Sequence, residues 1–216
     1  MTGNAAIRSV DPGAPDPDLI AYAAELIRGG QAVIYPTRCL YGLGADALNP
    51  DAVDRVFWIK QRALTNPVSI LVADREMLEA CAAEIPKTAE KIMQSCWPGG
   101  ITLVLRAGGI LPRALTGGTG TIGIRMPAHP VASALAAAVQ RPITATSANI
   151  SGQTGPREIE TIPGTVTEAA GLVLDAGELD PGIGSTILDV TCTPPRILRE
   201  GAVAANDLRS LITLAD

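Results

Sequence analysis

Short apolar runs recur along the chain and alternate with stretches in which apolar residues recur at helical spacing. A short apolar run bounded by Gly or Pro predicts a buried strand, whereas the wider spacing predicts a helix. The predicted strands cover residues 31–35, 68–72, 101–105, 121–126, 172–174, 186–190 and 196–198, with a further short signal at Pro142-Ile143. Strands that alternate with helices are typical of α/β domains.

Capping residues mark where several helices begin. Asp16, followed by proline, predicts the start of a first helix, which Gly29-Gly30 ends. Asn49, also followed by proline, predicts a second helix with Lys60 at its C-terminal end, where a cation suits the helix dipole. Further helices are predicted to begin at Asp74 and Pro86, to cover residues 130–139 and to lie near residues 206–214.

The domain organisation is simple, because no repeat or low-complexity linker divides the 216 residues. A chain of this length can bury a sizeable core in one domain. We therefore predict a loose arm, rich in Pro and Gly, over residues 1–15 and a single α/β domain over residues 16–216. The domain is expected to contain a twisted sheet of parallel and antiparallel strands flanked by helices.

Composition narrows the possible functions. Hydrophobic residues make up 47% of the chain and charged residues 18%, which indicates a folded core rather than disorder. The net charge of −5 argues against nonspecific binding of nucleic acid, so a basic binding surface would have to be local. No apolar run has the length of a membrane span and the first residues form no signal sequence, so we expect a cytoplasmic protein without a membrane partner.

The residues that could bind a metal ion are scattered. The single histidine, His129, is interpreted as a residue that caps or precedes the helix over residues 130–139. The cysteines form no C-x-x-C pair, so no zinc-site spacing can be assembled and no metal site is predicted. They lie at Cys39, Cys81, Cys96 and Cys192.

One segment formally matches a dinucleotide-binding motif, because Gly42, Gly44 and Ala47 have the spacing G-x-G-x-x-A. In that motif the glycines join a strand directly to a helix. Here the signal for a helix comes only at Asn49, and no acidic residue is placed to hold a ribose. Residues 36–44 are therefore interpreted as a loop after a buried strand, either a structural connection or the wall of a pocket.

Three further segments carry side chains that could contact an anionic substrate. Lys60-Gln61-Arg62 supplies two cations shortly before Asn66-Pro67, which leads into a predicted strand. Residues 144–152 form a turn-like run of hydroxyl and amide groups that ends on glycine. Thr121 and Arg125 lie on one face of a predicted strand, where an arginine among apolar residues indicates an edge position or a bound anion.

In this order, residues 36–44, the Lys-x-Arg pair and residues 144–152 resemble the YrdC-type family of L-threonylcarbamoyladenylate synthases. The resemblance extends over about residues 20–201 and implies a YrdC-like fold with a concave substrate cleft. Because few residues follow Gly201, we expect a short form without the extra C-terminal domain of longer members.

The chain departs from the family pattern at three positions that bear on substrate choice. Cys39 stands where a threonine is usual, Leu71 where longer members carry histidine, and Gly184 where a glutamate is common. A hydroxyl that could bond a polar substrate is thus replaced by a weaker thiol donor. The amino-acid specificity therefore stays open at this point, as do the oligomeric state and any direct contact with tRNA.

The resemblance implies an enzyme that makes threonylcarbamoyl-AMP and pyrophosphate from L-threonine, bicarbonate or CO2, and ATP. It implies a catalytic set of Lys60, Arg62, Ser147 and Asn149. It implies an ATP-binding set of Arg62, Asn66, Thr121, Ser147, Gly155 and Arg199. It implies a threonine-binding set of Cys39, Arg125, Ala145 and Ser185.

The same resemblance implies the partners. Mg²⁺ is expected to arrive with ATP, held by phosphates and water rather than by a protein cage. The product begins threonylcarbamoyladenosine modification of tRNA and is expected to pass to a tRNA threonylcarbamoyl transferase complex. Weak binding of RNA is a further expectation. Two alternatives stay open: a noncatalytic module that binds double-stranded RNA in the same cleft, and a related carbamoyl-transfer protein.

Overall fold

The computed structural model describes residues 5–215, so the first four residues of the predicted arm lie outside the described residues. Its strands are β1 (Ala6–Ser9), β2 (Val33–Pro36), β3 (Tyr41–Gly44), β4 (Ser69–Leu71), β5 (Ile101–Arg106), β6 (Thr121–Arg125), β7 (Ile143–Ser147), β8 (Leu172–Asp175), β9 (Thr186–Asp189) and β10 (Arg196–Arg199). Its α-helices are α1 (Pro17–Arg28), α2 (Pro50–Ile59), α3 (Arg75–Cys81), α4 (Lys87–Cys96), α5 (Pro130–Val139), α6 (Gly164–Ala169) and α7 (Ala205–Leu211). Two 3₁₀ helices cover Arg113–Thr116 and Ile159–Thr161.

All ten strands form one sheet in the order β1-β8-β2-β3-β7-β4-β6-β5-β9-β10. Parallel pairs, such as β4 with β6 and β5 with β9, occur beside antiparallel pairs, such as β3 with β7. The predicted α/β domain with a mixed sheet is therefore confirmed. Two strands near the middle of this order carry four of the predicted site residues, Thr121 and Arg125 on β6 and Ala145 and Ser147 on β7.

The predicted helix starts are confirmed, because the capping side chains make the expected bonds. The Asp16 carboxylate accepts a hydrogen bond from the backbone N of Asp18 at 2.9 Å. The side-chain oxygen of Asn49 accepts one from the backbone N of Asp51 at 3.0 Å. Lys60 follows directly after α2, as the dipole argument predicts.

The prediction of a loose arm is wrong for Ala6–Ser9, which forms the edge strand β1. This segment pairs in parallel with β8, opposite Leu172–Asp175. Its own side chains are mostly exposed, so the backbone ladder with β8, rather than burial of an apolar face, holds the strand. A prediction of strands from buried apolar positions therefore misses β1.

The interpretation of residues 36–44 as one loop is wrong for Tyr41–Gly44, which forms β3 antiparallel to β2. The two glycines of this strand lie against the ring of Tyr35. A Cβ at Gly42 would lie 3.0 Å from the ring atom Cζ, and one at Gly44 would lie 2.7 Å from Cε1. The glycines thus make room for an aromatic ring, and they do not form a phosphate-binding turn.

The turn predicted for residues 144–152 also begins later than expected, because β7 continues to Ser147. Thr144 is fully buried in this strand, yet its hydroxyl has partners. It donates to Leu43 O at 3.2 Å and accepts from Ala45 N at 3.0 Å. A polar residue can therefore occupy the centre of the sheet without leaving an unpaired group.

Helices cover both faces of the sheet, and neighbouring strand residues point to opposite sides. Val33 packs in the apolar cluster that includes α1 and α5, whereas Ile34 packs in the cluster that includes α2. This alternation is the period of two expected of strand side chains. Tyr35 and Leu71 belong to the cluster with α1 and α5, beside which the cavity described below lies.

Candidate functional site

A cavity of about 490 Å³ crosses the middle of the sheet and is lined from strands β2, β3, β7, β4, β6, β5, β9 and β10. A cavity of this size is typical of sites for small-molecule ligands. Seven of the predicted site residues line it: Cys39, Arg62, Arg125, Ala145, Ser147, Ser185 and Arg199.

The wall of the cavity is strongly cationic. It includes four arginines and, among the described residues, no aspartate or glutamate. The arginines are Arg38, Arg62, Arg125 and Arg199. Guanidinium groups are always charged and bind carboxylates and phosphates through paired donors, so this wall favours a ligand with several negative charges.

Arg125 occupies the end of β6 and lines the cavity. Burial is the main cause that lowers the pKa of Arg125. Tyr35 and Cys39 partly oppose this effect, whereas the nearby charges of Arg199 and Arg38 lower the pKa further. Its Nε is enclosed and has no hydrogen-bond partner among the described residues. An unpaired buried donor on a cation is costly, which indicates that an anion belongs beside it.

Lys60 lies beneath the cavity wall and is only 1% exposed. Its Nζ donates to the backbone O of Ser147, and to both the backbone O and Oδ1 of Asn149 at 2.8 Å each. These three acceptors match the three donors of an ammonium group. Burial, aided by the charge of Arg62, nevertheless lowers the pKa of Lys60 to about 7.

The hydrogen-bonded cluster of Lys60, Ser147 and Asn149 joins the end of α2 to the end of β7. The Ser147 hydroxyl donates to Asn149 Oδ1 at 2.7 Å, and the Asn149 amide nitrogen donates to Gln153 O at 2.6 Å. The backbone N of Ser151 donates to Lys60 O at 2.9 Å. Asn149 is itself buried, so Ser147 is the member of this cluster that reaches the cavity.

Arg62 reaches the cavity from the turn after α2. Its Nε donates to Asn66 O at 3.0 Å and its terminal nitrogen to Pro67 O at 2.8 Å. Burial lowers the pKa of Arg62. These two hydrogen bonds to backbone carbonyl oxygens orient the guanidinium. Asn66 therefore supports Arg62 through its backbone oxygen.

The segment before β9 closes one side of the cavity. Arg38 and Cys39 both donate to Ile183 O, the thiol at a distance of 3.4 Å. Arg199 donates to Ser185 O at 2.7 Å, and the Ser185 hydroxyl bonds the Thr102 hydroxyl at 2.8 Å. The side chains assigned to the substrate thus also hold this segment in place.

Five predicted site residues do not line the cavity: Lys60, Asn66, Thr121, Asn149 and Gly155. The Thr121 hydroxyl bonds that of Thr119 at 2.9 Å. Gly155 packs against Leu40, whose Cδ1 would lie 2.8 Å from an added Cβ. The assignments of Asn66, Thr121 and Gly155 to ATP stay predictions, as do the catalytic assignments of Lys60 and Asn149.

Sequence reasoning gave no ligand-binding role to two basic residues of the cavity wall. His129 directly precedes α5, as predicted, but its side chain makes no capping bond within the described residues and lines the cavity. Arg38 had no predicted role, although it adds a fourth guanidinium. The signal for Arg38 was its place inside the segment already assigned to a pocket wall.

The fold and the cavity together define an α/β domain with an arginine-lined cavity for a small ligand. Comparisons with known proteins identify its family. Residues 25–201 match the model of the Sua5/YciO/YrdC family, whose description is "Telomere recombination". The match covers most of the chain, and the protein belongs to this family.

Two relatives carry the same name. The chain is 42% identical over 193 residues to the threonylcarbamoyl-AMP synthase of Pyrococcus abyssi, covering 89% of this chain and 57% of that protein. It is 37% identical over 195 residues to the threonylcarbamoyl-AMP synthase of Bacillus subtilis, covering 89% and 56%. The chain therefore spans a little over half the length of these relatives.

A solved structure supports the same relationship. The crystal structure of P. abyssi Sua5 complexed with L-threonine matches with a TM-score of 0.88 and 39% identity, over 97% of this chain and 62% of that one.

Residues 5–215 contain no group of three His, Cys, Asp or Glu side chains that could hold a metal ion. None of the helices described in that range has the length and apolar character needed to cross a membrane.

Proposed function

We propose that this protein makes threonylcarbamoyl-AMP and pyrophosphate from L-threonine, bicarbonate or CO2, and ATP, as a nucleotidyltransferase. The observation that supports this most directly is the cavity wall with four arginines and no carboxylate among the described residues. Such a wall suits a reaction in which a carboxylate must approach a polyanion. Family membership and the relatives' names favour this reaction over other reactions that also bring two negatively charged groups together.

The chemical difficulty of this reaction is electrostatic repulsion. The amine of threonine joins CO2 to give an N-carboxylate, which then attacks the α-phosphorus of ATP and displaces pyrophosphate. Fixed cations and donors that compensate charge in a water-poor site lower such a barrier, and correct placement adds to the effect. We assign Arg62, Arg199 and Ser147, which line the cavity, to the ATP side, as the family resemblance implies.

The amino-acid side is assigned to the part of the wall around Arg125. Arg125 presents its guanidinium to the cavity from β6, where it can hold both oxygens of the threonine carboxylate. Cys39, Ala145 and Ser185 complete this part of the wall. Ala145 brings no polar side chain, so its contribution is shape and backbone.

Further partners follow from the proposed reaction. Mg²⁺ is carried by the ATP phosphates, since no protein carboxylate lines the cavity within the described residues. We further propose a cytoplasmic enzyme whose product passes to a tRNA threonylcarbamoyl transferase complex for the modification of tRNA. Direct binding of RNA is expected to be weak, because the net charge of the chain is −5.

The proposal is tested by measuring pyrophosphate release from ATP and Mg²⁺ with each of several amino acids, with and without bicarbonate. We expect release to require both L-threonine and bicarbonate. Release that is independent of bicarbonate would contradict the proposal. Turnover of carbamoyl phosphate instead would favour the carbamoyl-transfer alternative, and tight, salt-resistant binding of double-stranded RNA without turnover would favour the RNA-binding one.

Cys39→Thr tests which groups select the amino acid. The Cys39 thiol, 5% exposed, is a weak donor to Ile183 O, whereas a threonine hydroxyl can make that bond or one to the substrate. We expect turnover of threonine to persist, with discrimination against alanine unchanged or raised by up to ~10-fold, the value of one hydrogen bond. Steady-state kinetics with both amino acids measure this, and Cys39→Ser separates the hydroxyl from the methyl group. A folded Cys39→Thr protein without activity would contradict the expectation.

A further inference from the structure

His129 occupies the cavity wall but has no established structural duty for its ring. It follows the end of β6 and precedes α5, and its backbone O accepts a hydrogen bond from Ser133 N at 2.8 Å. Its side chain makes no capping bond, and its Nδ1 is enclosed without a hydrogen-bond partner among the described residues. A buried polar group without a partner is rare enough to call for a functional explanation.

The other groups of the wall are poor proton acceptors near neutral pH. The arginines stay protonated, and burial raises the pKa of the Tyr35 and Tyr41 phenols to about 12. The Cys39 thiol is used as a donor to Ile183 O. Among the described residues that line the cavity, His129 is thus the side chain best suited to take up a proton.

The proposed reaction needs such an acceptor at one position. An α-amino group has a pKa of ~8 or higher, so at neutral pH it is mostly an ammonium ion without a free electron pair. A carboxylate held by Arg125 places that ammonium group two covalent bonds away. Arg125 ends β6, and His129 lines the same cavity a few residues further along the chain.

We propose that the imidazole of His129 accepts the proton that the α-ammonium group of the substrate must lose before its nitrogen attacks CO2. This inference rests on the function proposed above. The N–H bond breaks and leaves its electron pair on nitrogen, and the proton is bound by the imidazole. The nitrogen then forms a bond to the carbon of CO2, one C–O π pair moves to oxygen, and the second proton leaves the nitrogen for solvent.

The surroundings of His129 suit this role. Burial lowers the pKa of its imidazole, which keeps it neutral and able to accept a proton at neutral pH. The charged groups of the cavity wall are the four arginines Arg38, Arg62, Arg125 and Arg199. A proton taken up in the reaction is therefore readily released afterwards.

Nuclear magnetic resonance can observe this imidazole directly, because it is the single histidine of the chain. We expect saturating L-threonine, without ATP, to shift its Cε1–H signal and its titration midpoint. The matched ligand is 3-hydroxybutyrate, which keeps the carboxylate and hydroxyl but lacks the amine, and it should leave the midpoint unchanged. An imidazole that does not respond to threonine, at concentrations shown by calorimetry to saturate the site, would overturn the proposal.

The kinetic test uses His129→Gln, with the exposed Ser133→Ala on α5 as control. We expect kcat/KM for threonine to fall ~100-fold at neutral pH, the scale of losing a general base. The ratio of wild-type to variant rates should narrow as the pH rises, because the free amine then forms without a catalyst. A ratio that stays constant with pH would show a structural role and overturn the inference.

The two proposals fail in different ways. If wild-type protein shows no threonine-dependent release of pyrophosphate at any pH, the proposed function is wrong. If wild-type protein is active and His129→Gln is folded and equally active, the function stands and only the role of His129 is wrong. Thermal unfolding establishes whether the variant is folded, and if it is not, the resonance experiment on the wild-type protein decides.

Discussion

Replacing Lys60 by alanine should lower the rate of pyrophosphate release at least ~100-fold, the scale of losing one preorganised electrostatic group. The ammonium group does not line the cavity, so its effect must pass through its neighbours. Without it, the backbone O of Ser147 and both oxygens of Asn149 lose a donor. Ser147, which does reach the cavity, would then no longer be held in one position.

Arg62→Ala should lower the same rate by a similar factor for a more direct reason. Its guanidinium lines the cavity and is oriented by bonds to the backbone O of Asn66 and of Pro67. Alanine removes a fixed positive charge from the side of the wall assigned to phosphates. The initial rate of pyrophosphate release at saturating substrates measures both losses.

Two exposed cations serve as matched controls: Lys91→Ala and Arg113→Ala should leave the rate unchanged. Thermal unfolding separates lost chemistry from lost structure in the Lys60 variant, and Lys60→Met keeps most of the side-chain volume while removing the donors. Near-normal turnover in both Lys60→Ala and Arg62→Ala would show that neither residue serves the reaction. Loss in Arg62→Ala alone would assign charge compensation to Arg62 and leave Lys60 a structural residue.

The parts of the fold that depend on local interactions were predictable. A cap such as Asn49 bonds to backbone groups only two or three residues away, so the residues that determine the start of α2 are adjacent in sequence. The helix over residues 130–139 was predicted with the bounds that the structure gives to α5. Its apolar residues and its proline are sufficient to define it.

The parts that depend on distant residues were not predictable. Tyr41–Gly44 resembles a loop because glycine is a weak strand former, and only the ring of Tyr35 on β2 explains why glycines are needed there. Thr144 resembles a turn residue until Leu43 and Ala45 are known to satisfy its hydroxyl. In both cases the partner lies on another strand, which sequence spacing does not reveal.

The candidate site likewise has parts that could be predicted from the sequence and parts that could not. The cations of residues 60–62 were recognised from their pattern, but not that Lys60 is buried while Arg62 faces the cavity. A lysine at a helix end is normally solvated, and here the polar end of β7 covers it. His129 was missed for a related reason, since the residue before a helical proline is expected to serve the helix rather than a ligand.

Arg125→Ala should raise the apparent KM for threonine by ~100-fold or more, and Arg125→Lys by ~10-fold. A guanidinium can bond both oxygens of a carboxylate, whereas lysine offers one point charge and loses the paired geometry. Tenfold in KM corresponds to roughly 1.4 kcal/mol of lost binding, and alanine loses the charge as well as both bonds. The buried Nε of Arg125, which has no hydrogen-bond partner within residues 5–215, is the structural reason to expect an anion there.

The KM for ATP decides whether the carboxylate assignment is right. It should change much less than that for threonine, because the phosphate side of the wall is assigned to Arg62, Ser147 and Arg199. Steady-state kinetics with each substrate varied in turn measure both constants, and the exposed Arg113→Lys is the matched control. Equal weakening of ATP and threonine in Arg125→Lys would show that Arg125 serves the phosphates or the fold. The carboxylate would then have to be bound by another arginine of the wall, of which Arg38 and Arg199 lie close enough for their charges to lower the pKa of Arg125.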